Sequence, residues 1–353
     1  MNISHSRFGR HTRSCSFRFQ HVVRLTLIVG ALVAGCSRPE APSVVVYTAL
    51  DEMYSRPILD AFEQRTGIHV SAAYDTEAGK TTGLVNRLIA ERNRPRADVF
   101  WNNEIAQTLV LKKEGILEPY VSPSAKAIPA QFRDADGFWT GFAARARVIV
   151  YNTNLVRRPP GSIRDLLRPE WTGRAAIANP LFGTTATQAA ALFAAWGEAP
   201  AQEFFRGLRK NRVAVLAGNA TVRDLVARGE YAIGLTDTDD ANGAIVDGLP
   251  ARWVFPDQEP DDLGTLVIPN TVALIKGAPH PEAAKALIDF LLSPEVEGML
   301  AQSRSVQIPL NQAVAPPENV PRLDGIRAME VDFSAVAERM AGVAAFMKEE
   351  FLR

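Results

Sequence analysis

The sequence predicts an α/β protein of two domains built on parallel strands, and three observations carry that expectation. Short β-branched runs alternate with segments whose apolar residues recur at helical spacing. Polar residues gather at the carboxyl ends of those runs. Behind an N-terminal leader, the 318 residues from 36 to 353 exceed the about 300 residues at which a single core usually stops growing.

The leader sets the compartment. Residues 1–24 hold five arginines (Arg7, Arg10, Arg13, Arg18 and Arg24) and no acid, and "LTLIVGALVAG" then supplies an apolar run ending in small residues before Cys36. That is the pattern of a secretory signal over residues 1–35. The run is shorter than the about 20 residues a permanent membrane helix needs. Its end, "LVAGC", resembles the lipobox of bacterial lipoproteins, in which the signal is cut before a cysteine that is then acylated. An ordinary signal peptide with an incidental cysteine is the alternative. Residues 36–43, containing "SRPEAPS", read as the lipidated Cys36 and a short tether.

Without the leader, 34 basic residues face 39 acidic ones, a formal charge of −5, so nucleic acid is not an expected partner. Cys15 leaves with the signal and Cys36 carries lipid, which leaves the folded part without thiol or disulfide. Of the histidines only His69 and His280 remain. That excludes a His-rich zinc site and makes a Ser-His-Asp triad hard to build.

The elements follow in order. "VVVYTA" (44–49) is a β-branched strand, and "RPILDAFEQRTG" is a helix that stops at Gly67. "IHVSAAYD" is the next strand, half-buried by its pattern, with a structural His69. "GLVNRLIAERNRPRA" is the next amphipathic helix and "ADVFWNN" a third strand. "ALFAAW" and "LIDFLL" read as core; Trp101 stays open as a site residue because it leads into a polar strand end. Ligands of such sheets bind beyond the carboxyl ends of the strands. At those ends stand Asp51 and Glu52, then Asp75, Thr76 and Glu77, then Asn102, Asn103 and Glu104. After "YAIGL" come Thr236, Asp237, Thr238, Asp239 and Asp240.

The stretches "VVVYTALDEMYSRPILDAFEQRTGIHV", "PRADVFWNNE", "ARARVIVYNTNLV", "PEWTGRAAIANP", "TLVIPNTVALIKGAPHPEAAKALIDFLLSPEVEGMLA" and "QIPL" resemble the extracellular solute-binding proteins of ABC importers. The nearest subgroup is that of the periplasmic ferric-ion-binding proteins, and the resemblance runs from about residue 44 to 315. It implies a type II periplasmic binding protein fold, with two lobes joined by two crossing hinge strands near 147–153 and 264–275. Lobe one would comprise 44–147 plus 270–310, lobe two 148–266, and 311–353 a C-terminal helical segment packing on the lobes. The implied partners are an ABC permease and its ATPase, with the membrane met only through the lipid anchor. The chain is expected to act as a monomer in the periplasm or at the cell surface.

The resemblance also implies a ligand set, and this chain departs from it. The family's histidine position falls on Asp51, and its glutamate on Asn103, with Glu104 one residue later. Its tyrosine pair falls on Thr238 and Asp239, so the phenolate oxygens are missing there. Asp51, Glu52, Glu104, Asp237, Asp239 and Asp240 still offer hard oxygen donors of the kind that suit Fe³⁺, Mn²⁺, Ca²⁺ or Mg²⁺. Crowded carboxylates repel one another, which a bound cation or an amine relieves. For Asp237 and Asp239 the alternative is helix capping.

A second element points to anions. "NPLFGTTATQAAALFAAWG" (179–197) sets Gly183, Thr184 and Thr185 at the start of an alanine-rich helix, where N–H groups, hydroxyls and the helix dipole converge. In the ferric relatives this segment holds a synergistic anion, and the matching positions are Phe182, Gly183, Thr184 and Asn219. Simple capping by Thr184 or Thr185 is the alternative. Arg145 and Arg147 pair with that anion or with the acidic wall, a structural salt bridge being the commoner role of such an arginine, and Lys80, Thr81 and Thr82 mark a further helix start, again an anion site or a cap.

Two function classes result. One is a lipid-anchored capture protein for an oxygen-liganded metal, Fe³⁺ with a synergistic anion, with no catalytic cofactor; its variant takes a phosphorylated or phosphonate solute. The other is a secreted enzyme using paired carboxylates. That class lacks support in a nucleophile elbow, a P-loop or a metal-hydrolase His pair.

Overall fold

In the computed structural model the described residues are 41–75 and 82–351. The leader, Cys36, most of the tether, and Thr76, Glu77, Lys80 and Thr81 lie outside them. Strand β1 (Ser43–Thr48) leads into helix α1 (Glu52–Thr66), which buries Ser55, Ile58, Leu59 and Phe62 along one face. Gly67 ends α1 at φ 69°, a left-handed conformation that a residue without Cβ adopts at little cost. Next come β2 (His69–Tyr74), α2 (Thr82–Ala90), β3 (Val99–Asn102), α3 (Ala106–Lys113) and β4 (Leu117–Glu118). α2 stops well before the expected end, because the chain turns ahead of Pro95, whose ring disfavours helix in the residue before it.

β5 (Thr140–Asn152) is followed by β6 (Ala175–Ala178), α4 (Gly183–Trp196), α5 (Glu198–Lys210), β7 (Ala214–Leu216) and α6 (Asn219–Ala227). Then follow β8 (Ile233–Asp237), α7 (Thr238–Val246), β9 (Ala251–Val254), β10 (Val267–Ile275), α8 (Pro281–Leu291), α9 (Pro294–Gln302) and α10 (Phe333–Phe351). The strand order is β2-β1-β3-β10-β5-β8-β6-β7, with β4 beside β10 and β9 beside β5. The expected parallel pairing holds for β2-β1-β3 and for β8-β6-β7. The sheet as a whole is mixed, since β10 and β5 run antiparallel to their neighbours.

β5 changes partner along its length. Its residues from Thr140 to Ala146 pair with β10, and Arg147–Tyr151 pair with β8. One strand therefore belongs to both halves of the sheet, and it is buried on both faces for nearly all of its 13 residues. One apolar cluster, with Val46, Trp101, Phe142 and Leu287, fills the half around β1 and β3. Another, with Ile149, Ile177, Phe193 and Leu235, fills the half around β6 and β8.

Trp101 is fully buried with its ring 5.6 Å from that of Phe142, so it is core and not a site residue. β2 is half-buried as expected, and its first residue, His69, is exposed and meets Glu63 at 3.2 Å. α10 packs against both α3 and α4, burying Val336, Val343 and Met347. Of the C-terminal stretch expected to be helical, residues 333–351 form α-helix, and 311–332 are irregular apart from a short 3-10 turn.

Candidate functional site

The carboxyl ends of β1, β6, β7 and β8 open on one cleft of about 250 Å³, with β5 passing behind it. Asp51 enters from the start of α1 and Asn103 from the end of β3. Gly183, Thr184 and Thr185 come from the first turn of α4, Asn219 from the start of α6, and Asp237, Asp239 and Asp240 from the β8–α7 junction. Arg145 closes the back.

Strand register explains the back wall. In the antiparallel β5–β8 pair Arg147 stands directly opposite Asp237. Past the end of β8, Asp239 in the first turn of α7 meets Arg145, two residues before Arg147 on β5, at 3.2 Å. Two cations thus face two anions in a short ladder.

The inner rung is sealed. Arg147 is fully buried, and one of its Nη1 protons reaches Asp237 Oδ1 at 2.7 Å. Gln188 Oε1 (2.9 Å), Asn219 Oδ1 (3.1 Å), Thr184 Oγ1 (3.2 Å) and Thr185 Oγ1 (3.3 Å) accept its other contacts. A desolvated ion pair stands only when its remaining donors and lone pairs find partners, and here every nitrogen of Arg147 and both oxygens of Asp237 have one. Asp237 Oδ2 in turn accepts the Thr184 hydroxyl at 2.6 Å and the Asn219 amide at 2.9 Å. The Thr185 hydroxyl points to Asn219 Oδ1 at 3.4 Å.

That network corrects part of the sequence reading of the anion site. The hydroxyl protons of Thr184 and Thr185 are used inside the protein, so these residues offer the cleft their backbone N–H groups rather than their hydroxyls, and Arg147 does not line the cleft. The capping alternative fails too, because Phe182 occupies the N-cap of α4 and no side chain caps it. What α4 presents is the set of unsatisfied N–H groups of its first turn, with the positive end of its dipole. Gly183 opens that turn at φ 53° with free space where a Cβ would stand.

The outer rung differs. Arg145 is 4 % exposed, and its Nε and Nη2 have no hydrogen-bond partner among the described residues. Burial alone would lower the Arg145 guanidinium; the carboxylates of Asp239, Asp237, Asp51 and Asp240 outweigh it and raise the pKa above its ordinary value. Asp237, Asp239 and Asp240 each offer an oxygen within 4.8 Å of the others. Asp237 sits at the N-cap of α7 without a side-chain capping bond, because its carboxylate goes to Arg147 instead.

Three proposed metal-site residues lie elsewhere. Glu52 is exposed on the first turn of α1 and paired with Arg56 at 2.6 Å, since helical spacing turns it away from the cleft. Thr238 is buried, and its hydroxyl oxygen accepts the Ala146 N–H at 3.2 Å. Glu104 is 1 % exposed and works as an anchor for α3: it accepts the N–H groups of Ala106 (2.6 Å) and Gln107 (2.9 Å) and the Thr187 hydroxyl (2.8 Å). Burial raises its pKa despite those donors.

Tyr54 and Arg223 line the cleft and were not anticipated. Tyr54 lies on α1, four residues ahead of the buried Ile58, where periodicity marks it as packing. Burial, then the nearby Asp239, Asp51 and Asp240, push its phenol up to about 12.

A cleft between two halves of one sheet, joined by the shared strand β5 and walled by polar strand ends, defines a two-lobed solute-binding protein. The chain belongs to the family of bacterial extracellular solute-binding proteins, whose profile matches residues 97–333. These are binding proteins, not enzymes. The iron uptake protein A1 of Synechocystis is 29 % identical over 319 residues, covering 82 % of this chain and 86 % of that protein. The major ferric iron-binding protein of Neisseria meningitidis serogroup B is 26 % identical, with 90 % and 95 % covered. A putative 2-aminoethylphosphonate-binding periplasmic protein of Salmonella typhimurium is 28 % identical, with 89 % and 94 % covered. Among solved structures, the ferric binding protein of Campylobacter jejuni superposes with a TM-score of 0.79 at 25 % identity, over 87 % of this chain and 99 % of that one. The fold is that of the type II periplasmic binding proteins.

Proposed function

We propose that the protein captures ferric iron, together with an anion, between its two lobes and delivers it to an ABC permease. The observation that carries this reading is the two-sided cleft, in which Asp51, Asp239 and Asp240 face the first turn of α4 and Arg145. Hard carboxylate oxygens suit Fe³⁺, and the helix N-terminus with an arginine suits the anion that balances it. The iron-related names of relatives that span nearly the whole chain support it. In this reading 44–147 plus 270–310 and 148–266 are the lobes that close on the ligand, and the change of partner at Ala146/Arg147 supports a hinge there. Removal of the signal over 1–35 and lipidation of Cys36 would leave the monomer held at the membrane by its lipid, within reach of the permease and its ATPase.

A second reading follows from the charge of the cleft. Arg145 and Arg147 balance Asp239 and Asp237, which favours a solute with one amine and one phosphonate over a bare trivalent ion. The phosphonate-binding relative supports it.

Thermal unfolding of metal-stripped protein decides. A ligand at about 100 times its Kd adds about 2.7 kcal/mol of stability. Ferric citrate strengthened by added phosphate is the result expected of iron capture, and 2-aminoethylphosphonate acting alone is that of the second reading. The double variant Asp51→Ala/Asp239→Ala is expected to lose either response while the unliganded protein stays folded. An unchanged response there removes the carboxylate wall from the site.

A further inference from the structure

We infer that Arg147 is a positioning residue that sets the charge the cleft presents: it holds Asp237 as an internal counter-ion and so withdraws that carboxylate from the ligand. This deepens the binding reading above and rests on it. Asp237 borders the cleft, and by position it is the first acid of the wall. Yet it is 1 % exposed and both of its oxygens are engaged, Oδ1 by Arg147 and Oδ2 by Thr184 and Asn219. A carboxylate has about four acceptor sites, and three are filled from within the protein.

Arg147 reaches no ligand itself. It is fully buried, it stands outside the cleft lining, and its position opposite Asp237 is fixed by the β5–β8 register. The same guanidinium holds Gln188, Thr184 and Thr185 of α4 and Asn219 of α6, so one residue ties the helix that faces an anion to the strand that carries the acids. The contrast with Arg145 marks the division of labour. Arg145 lines the cleft with two N–H-bearing nitrogens unpartnered among the described residues, whereas every nitrogen of Arg147 has an acceptor.

The test measures thermal unfolding of the full chain, stripped of metal, against MnCl₂ and against inorganic phosphate. Arg147→Gln releases Asp237 toward Asp239 and Asp240, whose oxygens already lie within 4.8 Å of one another. The half-saturating Mn²⁺ concentration is expected to fall at least tenfold below that of the wild type, and phosphate to bind at least tenfold more weakly. The neutral pair Arg147→Gln/Asp237→Asn keeps the shape and net charge of the rung, and is expected to return the Mn²⁺ response to the wild-type value. Asp239→Asn is expected to weaken it. A purely structural Arg147 would lower the melting temperature without moving the Mn²⁺ response.

An Arg147→Gln protein that responds to Mn²⁺ as the wild type does overturns the inference. So does a neutral pair that loses the response as far as Asp239→Asn, because Asp237 would then be a ligand. If Arg147→Gln does not fold, the neutral pair alone decides by the same criterion. A wild type that answers neither probe counts against the binding reading, and the gain or absence of a Mn²⁺ response in Arg147→Gln still decides the role of Arg147.

Discussion

Truncating Asp237 to alanine tests how much of the molecule rests on its innermost ion pair. The substitution leaves Arg147 fully buried without its counter-charge and takes an acceptor from Thr184 and Asn219. Removing one member of a buried pair costs about 3–5 kcal/mol, and each lost hydrogen bond adds roughly 1 kcal/mol. Against this, Gln188, Asn219, Thr184 and Thr185 still surround the guanidinium with oxygen atoms. The expected loss is therefore about 4 kcal/mol, a large share of the about 5–15 kcal/mol by which folded domains are stable. Asp237→Asn keeps the hydrogen-bonding shape and removes the charge, so about half that loss is expected. Urea unfolding followed by circular dichroism measures both. A cost below about 1 kcal/mol for Asp237→Ala would refute the claim that the pair is desolvated and satisfied only from within.

Two further outcomes are expected. Burial raises the folded pKa of Glu104 above its ordinary 4.5, so the folded state binds the extra proton. The corresponding stabilisation is fully present below the unfolded pKa and is lost as pH rises through the folded one. The stability of Glu104→Gln relative to wild type should then grow as pH rises from about 4.5, and a difference that stays flat up to pH 8 contradicts the burial argument. Gly183→Ala should cost about 1 kcal/mol for the left-handed φ alone, since nothing lies within 4 Å of the new Cβ, whereas Gly234→Ala, whose Cβ would stand 2.4 Å from Val222, should cost about 1–3 kcal/mol by overpacking; urea unfolding measures each, and a variant as stable as the wild type contradicts the mechanism given for it.

The β/α alternation was legible because a buried strand and an amphipathic helix leave different periods in the chain, as in "VVVYT" and in Ile58, Leu59 and Phe62. The polar strand ends were legible for the same reason, and Asp51, Asn103, Asp239 and Asp240 do border the cleft. Direction was not. Glu104 has the right residue type at the right strand end, but its carboxylate turns back onto the N–H groups of α3, a choice of rotamer and loop geometry that spacing does not encode. Glu52 and Thr238 fail likewise, each one residue from a side chain that does line the cleft. The Arg147–Asp237 rung had a trace in the sequence, since Arg-Ala-Arg on one strand and Asp-Thr-Asp at the junction of another strand with its helix carry opposite charges at the same spacing. Only the register, which pairs residues 90 positions apart, turns that trace into a contact.

The strand order also fixes a sequence of events. β3 ends at Asn102, and the neighbour that covers its open edge, β10, begins only at Val267. β5, β6, β7, β8 and β9 all lie between them in the chain. During vectorial emergence from the amino terminus, β8, β6 and β7 are all available to pair while β3 still has an unpaired edge. The first strands made are then among the last to be closed, and a chain stopped before residue 267 would expose an apolar edge of the kind that invites pairing with another copy.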